Sequence, residues 1–433
     1  MYNVGDIRQM MNMIVTKTGL FSLVWSLFCA SSLASPPESL QQVNLLYRHG
    51  DRSPVFVYPT DINQQAVAWP DGLGWLTNIG KLQHYKLGQY LRSRYDGFLN
   101  TSHYNHQEIS VQSSGVERCL MSAYCNLAGL FPPQGDQLWN ENIPWQPIPV
   151  QTKPIAEDNK LAEGASCPRY NQLYQEVLNS SAVKKEEQDN KDFYRMVEEK
   201  TGVKQESISD IWQIIDTLVC EQAHNLTWND WVTPDVWKKL ESLKPLGFDI
   251  QYATPEMIKL KGGPLLKEII GNMEASNLSD TTKPKFYMYS AHDTTVSSLL
   301  GAMKVFDSQQ PIYRALVIVE LHSVNNDTDV RVFYKNDTDR EAYELTVPGC
   351  GSPCTLEKFR EVTAENIPSN WTEECIAKNI HSSFNTLTPD LCLVLCFVLV
   401  YRSVSCFMFC SGLQICALFY VLFWFTDLCL VLF

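Results

Sequence analysis

The stretch that most constrains this chain is Val43 to Pro54, VNLLYRHGDRSP. Val43 to Tyr47 has the length and apolar composition of a strand. Arg48, His49, Asp51 and Arg52 then follow within five residues, with Gly50 among them to let the backbone turn at the strand end. Each guanidinium offers a planar fork of donors to an oxyanion, and an imidazole set between two of them can attack it. An isolated Arg-His-Gly is more often an exposed basic loop, because short motifs misfire. The whole Arg-His-Gly-x-Arg-x-Pro string is far rarer.

Two later stretches repeat the arrangement. Glu108 to Ser113 alternates as a short strand around Ile109 and Val111, and Gly115 breaks it. Val116 to Leu130 reads as the next helix, with Arg118 in its first turn, where backbone N–H groups favour an anion. Phe286 to Ser290 is again strand-like, and His292 and Asp293 stand before a helix-like Val296 to Met303. Three strand-to-helix junctions thus deliver Arg48/His49/Arg52, Arg118 and His292/Asp293. In a parallel α/β sheet such junctions share the edge outside the strand carboxyl ends, where ligands bind.

Around these junctions, Trp69 to Tyr95 begins with turn chemistry and becomes a helix, with Leu76, Ile79, Leu82, Leu87 and Leu91 near helical spacing. Phe131 to Pro154 is Pro- and Trp-rich, irregular chain leading to a domain boundary. Tyr170 to Met273 is more polar and largely helical. Its apolar stripes, Tyr174–Val177–Leu178 and Ile211–Ile214–Ile215–Leu218, read as core, and Lys184 to Glu187 as a solvated face. Ala315 to Leu321 and Val330 to Tyr334 read as a hairpin-like pair.

A chain of 433 residues holds one large or two ordinary domains, and its net charge of −13 argues against a nucleic-acid binder. Fourteen cysteines are too many for a typical cytosolic enzyme. Arg8 and Lys17 precede the apolar stretch Leu20 to Leu33, and cleavage after Ala34 would remove it as a secretory signal. Seven sequons support export: Asn100, Asn179, Asn225, Asn277, Asn326, Asn336 and Asn370. No cluster with metal-ligand spacing appears, and no cofactor is called for.

From Leu45 to about Cys375 the chain resembles the histidine acid phosphatases of the lysosomal and prostatic type. The carriers are YRHGDRSP at 47–54, FPPQG at 131–135, WQPIPV at 145–150, YSAHDTTVS at 289–297 and PGCGSPC at 348–354. The resemblance implies that His49 accepts the phosphoryl group, that Arg48, Arg52, Arg118 and His292 grip its oxygens, and that Asp293 protonates the leaving oxygen. The arginines would do the charge neutralisation a metal does elsewhere. It also implies disulfides Cys167–Cys375 and Cys350–Cys354, and a homodimer. A third family disulfide would join Cys220 to the position of Leu316, which leaves Cys220 orphaned unless Cys119 or Cys125 takes over. Where the family commonly reads Arg-Ser-Thr-Asp-x-Asp-Arg, this chain reads Gln112 to Arg118, keeping only the last arginine of that pair.

The expected architecture is therefore α/β: a mainly parallel central sheet flanked by helices, in parts 35–169 and 274–380, with an inserted helical cap at 170–273. Signal residues 1–34 precede it. The tail 391–433 is almost wholly apolar and carries six cysteines. It is either a membrane segment, with 404–425 long enough to span, or a translated repeat from a mis-assembled gene model. A lipid-anchor signal would be shorter. The expected reaction is hydrolysis of small phosphate monoesters at acid pH through phosphohistidine, in a lysosomal or secreted protein. The alternatives are a lipid- or inositol-phosphate phosphatase of the same superfamily, and a catalytically dead phosphate-binding ectodomain, which intact His49 and Asp293 disfavour.

Overall fold

The computed structural model describes residues 38–276, 283–324, 327–337 and 340–378. The signal segment, the tail with its 404–425 stretch, and the sequons Asn277 and Asn326 lie outside the described residues. Among the described residues no helix is long and apolar enough to cross a membrane.

Seven strands form one mixed sheet: β1 (Leu40–Arg48), β2 (Ile109–Ser113), β3 (Gln151–Thr152), β4 (Phe286–Ala291), β5 (Leu316–Val324), β6 (Asp327–Lys335) and β7 (Tyr343–Leu345). Their order is β3-β2-β4-β1-β5-β6-β7. Pairings from β3 to β1 are parallel, and those from β1 to β7 are antiparallel. The site lies on the parallel half. The hairpin read from Ala315 to Tyr334 is β5 and β6.

Successive β1 side chains feed two cores, as strand geometry requires. Val43, Leu45 and Tyr47 point into one, and Leu46 into the other. The first core lies under α1 (Asn78–Arg94) and α2 (Glu117–Leu130). Here the sequence reading needs correcting. Leu87 and Leu91 are buried, but Ile79 and Leu82 are 43% and 52% exposed. The buried stripe of α1 runs instead through Gly80, His84, Leu87, Gly88 and Leu91. Glycines let the two helices touch backbone to backbone: a Cβ on Gly88 would lie 1.9 Å from the Asn126 carbonyl oxygen. A pattern search that scores only apolar side chains misses such a face.

Between β3 and β4 come α3 (Pro168–Leu178), α4 (Ser181–Asp189), α5 (Lys191–Thr201), α6 (Ile208–Ala223), α7 (Pro234–Asp249), α8 (Pro255–Lys261) and α9 (Gly263–Glu274). Helix α10 (Asp293–Ala302) follows β4, and α11 (Leu356–Thr363) follows β7. Ile211, Ile214, Ile215 and Leu218 of α6 centre a separate cluster, which Phe56 and Tyr58 from the loop after β1 join. Helix α9 belongs to the second sheet core, with Leu266, Ile269 and Ile270 packed beside Val296 and Leu299 of α10.

Cys167 pairs with Cys375, and Cys350 with Cys354. Cys119, Cys125 and Cys220 are free thiols. Asn100, Asn179, Asn225 and Asn370 are exposed, whereas Asn336 is half-buried and its side-chain carbonyl accepts from the Ile312 N–H at 2.9 Å.

Candidate active site

Sheet register assembles the site. Tyr47 lies beside Ser290 and Arg48 beside Ala291, while Ser113 lies beside Ser290 on the other flank. The three adjacent strands β2, β4 and β1 therefore end level. The ladder continues one bond further on each side, from the His49 N–H to the Ala291 carbonyl and from the Ser114 N–H to the Ser290 carbonyl, both at 2.9 Å.

Gly50 sits here for a reason other than turning. Its φ is not in the left-handed region, but a Cβ on it would fall 2.5 Å from the Gly80 carbonyl oxygen. The loop needs this glycine to lie against the start of α1. His84 of α1, fully buried, completes the seating by donating from Nε2 to the Arg48 carbonyl at 3.0 Å.

His49 is buried, and its Nδ1 lies 2.8 Å from the Gly50 carbonyl oxygen. A carbonyl only accepts, so Nδ1 carries the proton and Nε2 keeps its lone pair. Burial, followed by Arg118, Arg48, His292 and Arg52, holds the imidazole well below its ordinary pKa. It is a neutral imidazole inside a cationic ring.

The arginines are held differently. Arg48 donates through Nη1 to the Pro311 carbonyl at 2.6 Å, pairs through Nη2 with Asp293 at 2.9 Å, and stacks over Tyr313. Arg52 closes its end-on fork on Asp216 of α6, at 3.0 and 2.8 Å. Arg118 has one long contact, Nη2 to His292 Nδ1 at 3.5 Å. The Nε of Arg48, Arg52 and Arg118 is in every case buried without a hydrogen-bond partner. An unmade buried hydrogen bond costs about 1–3 kcal/mol. The same three arginines are the positive charges that act on His49, and guanidinium forks of this kind suit an oxyanion.

His292 and Asp293 start α10. Because Arg118 can only donate, His292 Nδ1 accepts, and Nε2–H donates to Ser114 Oγ at 2.9 Å. Burial and then Arg118 keep this imidazole neutral too. Asp293 accepts from Gln310 Nε2 and from the Thr294 N–H, each at 2.9 Å. Burial alone would raise its pKa, but Arg48, Gln310 and Arg52 outweigh it, so the carboxylate is held below its usual range. A cavity of about 260 Å³ opens beside Asp293, lined in part by Tyr174, Trp212 and Phe248.

All six predicted residues thus come together. Sequence reasoning missed Asp216, Gln310, Tyr313, Ser114 and His84. Asp216 had a readable signal: a carboxylate inside the apolar stripe from Ile211 to Leu218. The orphaned Cys220 lies 3.4 Å from both Arg52 Nη1 and the Tyr313 hydroxyl, so it also faces the site.

The profile of the histidine phosphatase superfamily (branch 2) matches residues 39–335. The chain belongs to this superfamily, which bears out the resemblance. Lysosomal acid phosphatase of Xenopus laevis is 42% identical over 358 residues, covering 82% of this chain and 82% of that protein. Prostatic acid phosphatase of Homo sapiens is 40% identical over 349 residues, covering 79% of this chain and 90% of that protein. A phytase from Citrobacter braakii matches in fold, with a TM-score of 0.59 at 18% identity over 78% of this chain and 100% of that one.

Proposed function

We propose that the chain is an acid phosphatase that hydrolyses phosphate monoesters through a phosphohistidine on His49. The observation that carries this reading is the trio of unpartnered arginine Nε–H groups around a neutral imidazole whose Nε2 lone pair is free. The phosphoryl oxygens occupy those donors, and Nε2 attacks phosphorus. Arg52 can bind while still held by Asp216, because closing the end-on fork leaves Nε–H and one Nη2–H as a second fork.

Asp293 handles the proton. Without substrate it is ionised against Arg48. A phosphoryl group that takes over Arg48 removes part of this counter-charge and sets a dianion beside the carboxylate, and both changes raise its pKa. Protonated Asp293 then gives its proton to the departing ester oxygen. After that oxygen leaves, the carboxylate takes a proton from the water that attacks phosphohistidine. This coupling ties turnover to acid pH. The cavity beside Asp293 accepts the leaving group.

Of residues 170–273, helices α4 to α7 are read as a cap over the sheet edge, since α6 supplies Asp216 to the site, while α9 packs in the sheet core. A lysosomal or secreted location follows the relatives, and membrane attachment through 404–425 belongs to the same reading. A homodimer is supported by the exposed Leu138, Trp139, Ile143 and Trp145 on one short segment. The test is an assay of the full chain on phenolic, glycerol, inositol and lipid phosphates at pH 5 and pH 8, with and without EDTA. Metal-independent turnover favoured at pH 5 is expected. Activity restricted to inositol or lipid phosphates, or lost to EDTA and restored by metal, would replace this reading.

A further inference from the structure

Two buried carboxyls behind the arginine loop take no part in the chemistry above. Asp61 lies on the loop that follows Arg52, and Glu221 lies on α6, the helix that carries Asp216. They are 4% and 0% exposed. Asn63 ties them together: its backbone N–H donates to Asp61 Oδ1 at 2.8 Å, and its Nδ2 donates to Glu221 Oε1 at 2.9 Å and to the Thr227 carbonyl at 2.9 Å. Asn63 thus holds one oxygen of each carboxyl from a single residue. Yet Asp61 Oδ2 and Glu221 Oε2 are both buried with no donor.

Two carboxylates side by side in a low-dielectric interior repel, and each leaves an oxygen unsatisfied. One proton between them removes both penalties, as in carboxyl pairs generally. Among the described residues, the side chains that hydrogen-bond to the pair or act on it from beside are neutral. From the loop come Asn63 and the Tyr58 phenol, which donates to Asn229 Oδ1 at 3.0 Å, and Trp231 packs edge-on against the Tyr58 ring. Thr60 Oγ1 donates to the Lys200 backbone carbonyl at the end of α5, at 2.6 Å. The contacts of ionisable groups between the same loop and the α6 region are the Arg52–Asp216 pair and Asp51 Oδ2 with His224 Nε2 at 2.7 Å.

We propose that Asp61 and Glu221 share one proton in the working enzyme, and that this bridged pair docks the loop from Asp51 to Asn63 onto α6, positioning Arg52. Both are positioning residues, acting on the phosphate through Arg52, and the second half of the proposal rests on Arg52 being a phosphate ligand. The proton is well retained. Burial, with Asp61 adding to it against Asn63, lifts the Glu221 carboxyl from 4.5 to about 8. The folded state therefore holds a proton that the unfolded chain gives up above pH 4.5. Stability from the pair is whole below that pH, falls until about pH 8, and is flat beyond it.

Glu221→Gln keeps the shape and supplies an N–H to Asp61 at every pH. Thermal midpoints of the full chain from pH 4.5 to pH 9 are compared for wild type, Glu221→Gln and Asp61→Asn. The wild-type midpoint should fall toward pH 8 by roughly 5 °C more than that of either variant. Parallel profiles in all three would overturn the shared proton, whatever the enzyme hydrolyses. Asp61→Asn keeps the test alive if Glu221→Gln does not fold. The second arm is inhibition by inorganic phosphate at pH 5 and pH 8. Wild type should lose several-fold more affinity between the two than Glu221→Gln. Equal losses would leave the proton bridge standing and overturn its role in positioning Arg52.

Discussion

Arg48 ends β1 and Arg52 lies four residues on in the loop that follows, and the two are held by different layers of the molecule. Arg48 is fixed from the sheet side, by Asp293, the Pro311 carbonyl and the Tyr313 ring. Its place follows from strand register, which aligns it with Ala291. Arg52 is fixed from the helical side, by one carboxylate on α6. The sheet edge is over-determined by backbone ladders, helix caps and glycine contacts. The helical half of the site rests on side chains that point mutations can remove singly. The two halves should therefore fail differently: the sheet half in chemistry, the helical half in binding and stability.

Among the residues that hold the two arginines, the largest effect belongs to Asp293. Asp293→Asn should lower turnover of glycerol phosphate by roughly 10²–10⁴, the range of general acid catalysis, and should barely slow phosphorylation by a phenolic ester. Rapid-quench rates on both esters decide it. Equal losses would remove Asp293 from the acid role.

Asp216→Asn probes the other half. Removing one partner of a buried ion pair costs about 3–5 kcal/mol, because the remaining charge is uncompensated. Inorganic phosphate should restore part of that loss by giving Arg52 a new counter-charge. The expected result is a larger phosphate-induced rise in thermal midpoint for the variant than for wild type. An equal rise would take Arg52 out of the phosphate site.

A smaller effect, on stability alone, is expected from opening Cys167–Cys375, which closes 208 residues of sequence. Replacing both cysteines by serine should cost about 2–5 kcal/mol while leaving kcat/KM below the melting range unchanged. A drop in kcat/KM at 25 °C would show that the bridge also shapes the site. The smallest change separates the two readings of α1. Leu82→Lys should stay within about 0.5 kcal/mol, and Leu87→Ala should cost about 2–5 kcal/mol. Chemical denaturation of both variants measures the contrast.

What the sequence disclosed follows from how far apart the interacting residues lie. Arg48, His49, Arg118, His292 and Asp293 sit at strand-to-helix junctions, where a short window holds the strand, the break and the charge. Their partners are remote: Arg52 meets Asp216 across 164 residues, and His84 reaches Arg48 across 36. No local pattern encodes those pairings. Asp216 and Glu221 could have been flagged as charges on the buried side of an apolar helix. Gly50 and Gly80 were legible as glycines, but not as a close contact between a loop and a helix. The antiparallel half of the sheet needed β5 to be placed against β1, which the spacing between them leaves open.

The central claim is covalent transfer to His49. Wild type mixed with a phosphate ester labelled in its phosphorus and quenched within milliseconds should carry acid-labile, base-stable phosphate, and His49→Ala should carry none and turn over no substrate. Acid-stable label on a serine, or appreciable turnover by His49→Ala, would contradict the account.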